Sequence, residues 1–184
     1  GFHFYKGAPV INWLLYYPVE KILSRYTDVL ITINQEDYNR AKKFNANKVD
    51  YVPGIGLDTN KFNRCNIERD KKRQELGITK DTVVLLTIGE MIKRKNHETA
   101  LKALAKMNSQ NNFVYLICGK GELLGYLKDL TKKLKIEDKV KFLGFRNDIN
   151  EICMASDIFI FPSYQEGLPV SVMEAMSAGL PVIC

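Results

Sequence analysis

Two glutamates and a run of three cations are the residues whose types and spacing suit chemistry on a ligand. Glu166 and Glu174 form an E-x7-E pair in FIFPSYQEGLPVSVMEAMSAGLPVIC, residues 159–184. Lys93, Arg94 and Lys95 are consecutive in GEMIKRKN, residues 89–96. A carboxylate accepts hydrogen bonds and repels a phosphate, so the glutamates suit hydroxyl groups. Cations just before a helix suit a phosphate, because the helix N-terminus already presents N–H groups to an anion. A ligand with both phosphates and sugar hydroxyls satisfies the two demands together. Plainer readings stay open: a capping and a solvated helix glutamate, and a solvated basic turn. Gly144-Phe145-Arg146 adds a backbone turn and a flat aromatic on which a nucleobase could lie, or else a core phenylalanine. Gly119-Lys120-Gly121 begins a dinucleotide fingerprint that needs a third glycine at position 124, where Leu124 stands. The pattern fails by one residue and reads as an ordinary tight turn.

These residues need elements to hold them. Phe159 to Phe161 is a short apolar run stopped by Pro162, which has no N–H for a sheet ladder. Pro169 then suits a first helical turn, and Val172, Met173 and Met176 recur at near-helical spacing until Gly179 and Pro181. This puts Glu166 just before a helix and Glu174 about two turns inside it. Upstream, strands are expected at 83–88, 113–118, 140–143 and 158–161, alternating with helices at 97–107, 123–134 and 148–155, with PVIC as a further strand. The pattern is that of a doubly wound α/β sheet, which places ligands at the carboxyl ends of its strands. Nearer the start, the spacing predicts a helix from Pro18 to Tyr26 with Glu20 in its first turn. It also predicts a buried strand at 29–33, a helix capped by Asn34 and running to Phe44, and a strand at 49–52. PGIGLDTNKF, residues 53–62, reads as a loop, and a charged helix from Asn66 to Leu76 closes on Gly77.

The 184 residues allow one good core, or one domain with part of another. The net charge of +6 favours anionic partners. Basic charge and the aromatics from Phe4 to Tyr17 fit either a peripheral membrane contact or burial in a core. Apolar stretches are too short or interrupted to span a bilayer, and no signal peptide is visible. Cys65, Cys118, Cys153 and Cys184 lie far apart, which suits a reducing compartment and argues against zinc; His3 and His97 add no metal spacing. No Asp-x-Asp pair is available to hold a divalent metal on a nucleotide sugar. The chain opens on GFHFYKG and ends on PVIC, as an excerpt of a longer protein would.

Taken together, PSYQEGLPVSVMEAMSAGLPVI, YVPGIGLDTNKF and TIGEMIKRKNHETALKAL resemble the retaining glycosyltransferases of family 4, which have the two-domain GT-B fold. HFYKGAPVINWLLYYPVEK through LITINQEDYNRAK is similar to the bacterial capsule and exopolysaccharide members. The resemblance implies that residues 1–53 end an acceptor-side α/β domain and that 54–65 connect it onward. Residues 66–184 would form a Rossmann-like donor domain cut short at its C-terminal end. It implies transfer of a sugar from a nucleotide diphosphate sugar, a uridine one, to a lipid-linked or polysaccharide acceptor with retention. No cofactor or metal is implied, since the nucleotide sugar is a substrate, and no role for nucleic acid. The setting would be cytoplasmic, at the inner face of the cell membrane, and the excerpt alone would be inactive. Glu174 would bind ribose hydroxyls, and Glu166 with the backbone of Gly167 and Leu168 the donor sugar. Lys95 would hold the diphosphate, and Phe145 and Arg146 would meet the base. One departure stands out: the family's basic loop begins Gly-Arg, whereas Glu90 occupies the arginine position here, leaving Lys93 or Arg94 to compensate. The family's functional histidine falls before GFHFYKG, so His3 does not inherit its role. Two other readings remain: a nucleotide-sugar epimerase of the same fold, and a non-catalytic nucleotide-binding partner of a transferase.

Overall fold

Short apolar runs alternate with amphipathic segments over most of the chain, and they fold as parallel strands joined by helices. A computed structural model describes residues 2–5, 7–54, 56–62, 69–107 and 112–184. Its contacts divide the chain into two units, residues 1–56 and 57–184.

In the first unit, helix α1 is Val10–Leu23, strand β1 Val29–Thr32, helix α2 Gln35–Ala41 and strand β2 Lys48–Tyr51. The two strands pair in parallel, from Val29 opposite Lys48 to Thr32 opposite Tyr51. Asn34 caps α2 as expected, its Oδ1 accepting from the Asp37 N–H at 2.8 Å. Three expectations fail here. The first helix begins at Val10 behind Pro9, so Pro18 lies inside it and Glu20 is far from its first turn. An internal proline removes one helical hydrogen bond. Pro18 lies on the exposed face, where water can serve the carbonyl that lost its donor. Second, β1 is not buried: Val29 and Ile31 are 46% and 60% exposed. Alternate residues share one face of a strand, and nothing among the unit's described residues covers that face. Third, α2 stops at Ala41, with 42–44 continuing only as turns. The aromatics divide: Phe4 is fully buried against Phe2, Trp13, Tyr17 and Phe44, whereas Tyr16 is exposed.

In the second unit, the loop expected at 53–62 ends in a 3-10 turn, Thr59–Phe62, whose Phe62 is buried. Helix α3 is described as Arg69–Glu75, with Gly77 beyond it at φ +63°. Its expected start at Asn66, and Cys65, lie outside the described residues. Then follow β3 Val83–Ile88, α4 His97–Leu104, β4 Phe113–Cys118, α5 Leu124–Lys133, β5 Val140–Gly144, α6 Ile149–Ala155, β6 Ile158–Ile160, α7 Val170–Ser177 and β7 Val182–Ile183. The strands pair in parallel in the order β5-β4-β3-β6-β7. One core cluster joins Leu86, Leu116 and Phe159 to Ile152 and Ala175, so α6 and α7 cover that face. The other joins Leu85, Tyr115 and Ile117 to Leu101 and Leu127, so α4 and α5 cover the opposite face. Chain order runs outward from β3 to β5, then restarts beside β3 with β6. The reversal leaves a crevice beyond the carboxyl ends of β3 and β6, the position where open α/β sheets bind ligands. Among the described residues, no helix is long and apolar enough to cross a membrane.

Candidate functional site

The loops leaving β3 and β6 meet across that crevice. Lys93–Lys95 form a single 3-10 turn, and Asn96 at φ +54° turns the chain into α4. The turn is tied to the β6 loop by four hydrogen bonds. The carbonyl of Arg94 accepts from the Tyr164 N–H at 3.0 Å and from Ser163 Oγ at 3.3 Å. Arg94 Nη1 donates to the Gln165 carbonyl at 2.7 Å, and Asn96 Nδ2 to the Pro162 carbonyl at 3.0 Å.

Glu166 lies where the two loops join. Its Oε1 is 2.6 Å from Ser163 Oγ, 2.7 Å from Lys95 Nζ and 3.0 Å from Arg94 Nη1. Burial pushes this carboxyl up, but the hydrogen bonds and charge from Lys95 and Ser163 outweigh it and hold it below its ordinary value. Glu174 has no such company, and burial pushes it up. It is the fifth residue of α7, just over one turn in, because the helix starts at Val170 with Pro169 outside as its cap. A cavity of about 360 Å³ brings together Gly89, Glu90, Arg94, Lys95, Glu166 and Glu174, with Leu168 and the first turn of α7. The stem of Lys95 lies over Gly89, where an added Cβ would sit 3.5 Å from Lys95 Cδ. Lys93 faces a different cavity, shared with Tyr126 and Tyr164, so Arg94 is the cation that joins Lys95.

Not every expected site residue is in this cavity. Gly167 is exposed beside it. Phe145 and Arg146 follow β5, two strands from the crevice, and do not line it. Phe145 is 67% exposed, which removes the core reading. Lys120 Nζ stands 5.9 Å from its ring. Arg146 gives its guanidinium to Asp148 at 2.5 and 2.8 Å and to Glu75 at 3.3 Å. Buried Lys72 bridges Asp148, Glu75 and Glu151 within the same network.

The glycines at 119 and 121 do more than an ordinary tight turn. The loop after β4 lies directly on the loop after β3: the Met91 N–H reaches the Lys120 carbonyl at 2.9 Å, and the Leu123 N–H reaches the Met91 carbonyl at 3.0 Å. A Cβ on Gly119 would come within 2.0 Å of the Gly89 carbonyl oxygen, and one on Gly121 within 2.4 Å of that of Met91. Only bare backbone allows this approach.

Residues 68–184 match the family described as Glycosyl transferases group 1. The chain belongs to that family. As a group 1 glycosyltransferase sequence it is 40% identical to EpsD of Bacillus subtilis, which carries a glycosyltransferase designation, over 100% of this chain and 49% of EpsD. It is 32% identical to the UDP-Gal:alpha-D-GlcNAc-diphosphoundecaprenol alpha-1,3-galactosyltransferase of Escherichia coli, again over 100% of this chain and 49% of the relative. The chain spans about half the length of these curated relatives. The crystal structure of HepE from Anabaena in complex with UDP and glucose superposes with a TM-score of 0.80 at 23% identity, covering 99% of this chain and 50% of HepE. That likeness is one of fold, and the expected GT-B type of α/β architecture is met.

One residue of this group 1 chain escaped the sequence reading. His97, the first residue of α4, is buried, with Nε2 3.0 Å from the Glu90 carbonyl and Nδ1 buried without a partner. Burial pushes its ring below the ordinary histidine value; the hydrogen bond to Glu90 opposes that and the Lys95 charge adds to it. Its place directly after a basic turn was the only sequence signal.

Proposed function

We propose that this chain holds the donor for a retaining family 4 transferase, which moves a sugar from a uridine diphosphate sugar to a lipid-linked or polysaccharide acceptor without metal. The observation that carries the reading is the crevice cavity, where two cations, Arg94 and Lys95, and three glutamates, Glu90, Glu166 and Glu174, line one space. Lys95 and Arg94 would take the diphosphate, Arg94 standing in for the arginine that Glu90 replaces. Glu166, with the backbone of Gly167 and Leu168, would take the sugar, and Glu174 the ribose. Phe145 and Arg146 would meet the base. As the nucleotide diphosphate leaves, charge would develop on its oxygens; Lys95 and the first turn of α7, which line the same cavity, would stabilise it. A diphosphoundecaprenol acceptor and a UDP-sugar donor stand in the name of the Escherichia coli relative, which supports the choice of both. In this reading residues 66–184 are the donor domain, 54–65 the connection, and 1–53 part of the acceptor side. The protein works in the cytoplasm, at the inner face of the cell membrane, and residues 1–184 alone do not turn over.

The test is sugar transfer by the complete protein. Glu166→Gln and Glu174→Gln are each expected to lose about 10²-fold or more, the scale seen when an oriented polar contact to the reacting group is removed. Full activity in both variants would overturn the site. Product analysis without acceptor separates an epimerase, which would return an isomerised nucleotide sugar.

A further inference from the structure

His97 makes one hydrogen bond and forgoes another. It is only 2% exposed, and its Nε2 meets a carbonyl oxygen, that of Glu90. A carbonyl only accepts, so Nε2 carries the proton, and in the neutral ring that burial favours Nδ1 keeps a bare lone pair. That lone pair is buried with no partner, an arrangement that costs free energy. Apolar packing alone would be met better by a ring without the unmet acceptor, so the Nε2–H bond is what the residue contributes.

That bond closes a loop. Glu90 leaves β3 and His97 opens α4, and between them lies the turn that carries Arg94 and Lys95. The other tethers hold the segment from outside: Gly89 and Met91 to the β4 side, and the turn itself, through Arg94 and Asn96, to the β6 loop. Met91 packs in one core cluster with Ala100 and Leu101 of α4, but among the described hydrogen bonds only that of the imidazole ties the start of the loop to the helix at its end. We propose that His97 is a positioning residue for the anion subsite. It clamps the Glu90 backbone to α4 and so fixes both the turn presenting Lys95 to Glu166 and the backbone from which the Glu90 side chain departs. The ring acts as the neutral Nε2–H tautomer, and the cationic charge of the subsite comes from Arg94 and Lys95. This rests on the donor-site reading above, through the ligand used to test it.

The experiment is calorimetry of UDP binding by the complete protein, with donor kinetics alongside. His97→Phe fills the space without a donor; His97→Gln brings an amide N–H able to reach the Glu90 carbonyl. We expect His97→Phe to weaken UDP about tenfold, the worth of one ordered hydrogen bond, and to raise the donor KM with kcat little changed. His97→Gln recovers most of the loss. UDP binding by His97→Phe equal to the wild type, or equal loss in both folded variants, would overturn the clamp. Nitrogen-15 spectra of the His97 ring, recorded without nucleotide, decide the same point by another route. The Nε2–H tautomer supports the clamp, and the Nδ1–H tautomer or a charged ring overturns it. If the wild type fails to bind UDP, the donor reading falls, while the ring spectrum still decides what His97 does.

Discussion

Glu166 satisfies three donors with one oxygen, and this sets what an arriving anion competes with. Lys95 and Arg94 are both engaged by it. On the donor reading, a diphosphate would compete with an internal carboxylate for Lys95 and Arg94. Removing that competitor should help a ligand that lacks a sugar: Glu166→Gln is expected to bind UDP about 3- to 10-fold more tightly, while sugar transfer falls. Titration calorimetry at constant ionic strength checks this, and weaker UDP binding would contradict it. The two glutamates also differ in sign toward folding. The Glu166 carboxyl is held low, so its contribution to stability is present above the ordinary value of 4.5 and is lost as pH falls through the folded value. Glu174 is raised by burial, so its charge costs stability as pH rises through its folded value. At pH 7, Glu166→Gln should therefore lower the urea midpoint and Glu174→Gln should not. The E-x7-E pair and the basic turn were legible because residue type and spacing already state what they can bind. His97 was not, because its role depends on burial and on which ring nitrogen meets a carbonyl.

At the scale of elements, the strands of the second unit were legible to within a residue or so. Runs such as VVLLTI and FVYLIC are buried on both faces and read as parallel strands from composition alone. The first unit was less legible for two physical reasons. Proline is favoured at a helix start, yet an exposed helix tolerates it inside, so Pro18 misplaced the start of α1. A β-branched run signals a strand without saying how many of its faces are covered, and in β1 one face stays open. Gly119 and Gly121 stand out in the sequence, but a dinucleotide fingerprint is only one of the uses of paired glycines. Their use is the contact of two loops, which no local pattern encodes. Gly121→Ala should push the β4 loop off Met91, at a cost of about 1–3 kcal/mol for overpacking, and weaken UDP binding along with stability. Chemical denaturation and calorimetry on the same preparation test both; full stability together with full binding would show that the loops can part freely.

In the second unit as a whole, distant segments are joined by cations that are themselves buried. Arg73 donates to the carbonyls of Ala155, Lys80 and Thr82 at 2.9, 2.9 and 3.1 Å and to Asp157 at 2.6 Å. Asp157 in turn accepts from the Val84 N–H at 2.7 Å and from Arg69 at 2.5 Å. One guanidinium thus ties α3, the approach to β3 and the approach to β6, the two strands that flank the crevice. Arg73→Ala would take this donor from three carbonyls and leave Asp157 to Arg69 and the Val84 N–H, and should cost about 1–3 kcal/mol. Thermal and urea unfolding measure this; a loss below about 1 kcal/mol would mean that water replaces the guanidinium. Strand β4 has all six residues buried, whereas α1 has none. Amide deuterium uptake should follow that contrast. The amides of Phe113–Cys118 open only when the second unit unfolds globally, while those of Val10–Leu23 exchange through local fraying at far lower cost. The strand at the heart of the second sheet thus stays closed on the timescale on which the first helix has already traded its hydrogens with the solvent.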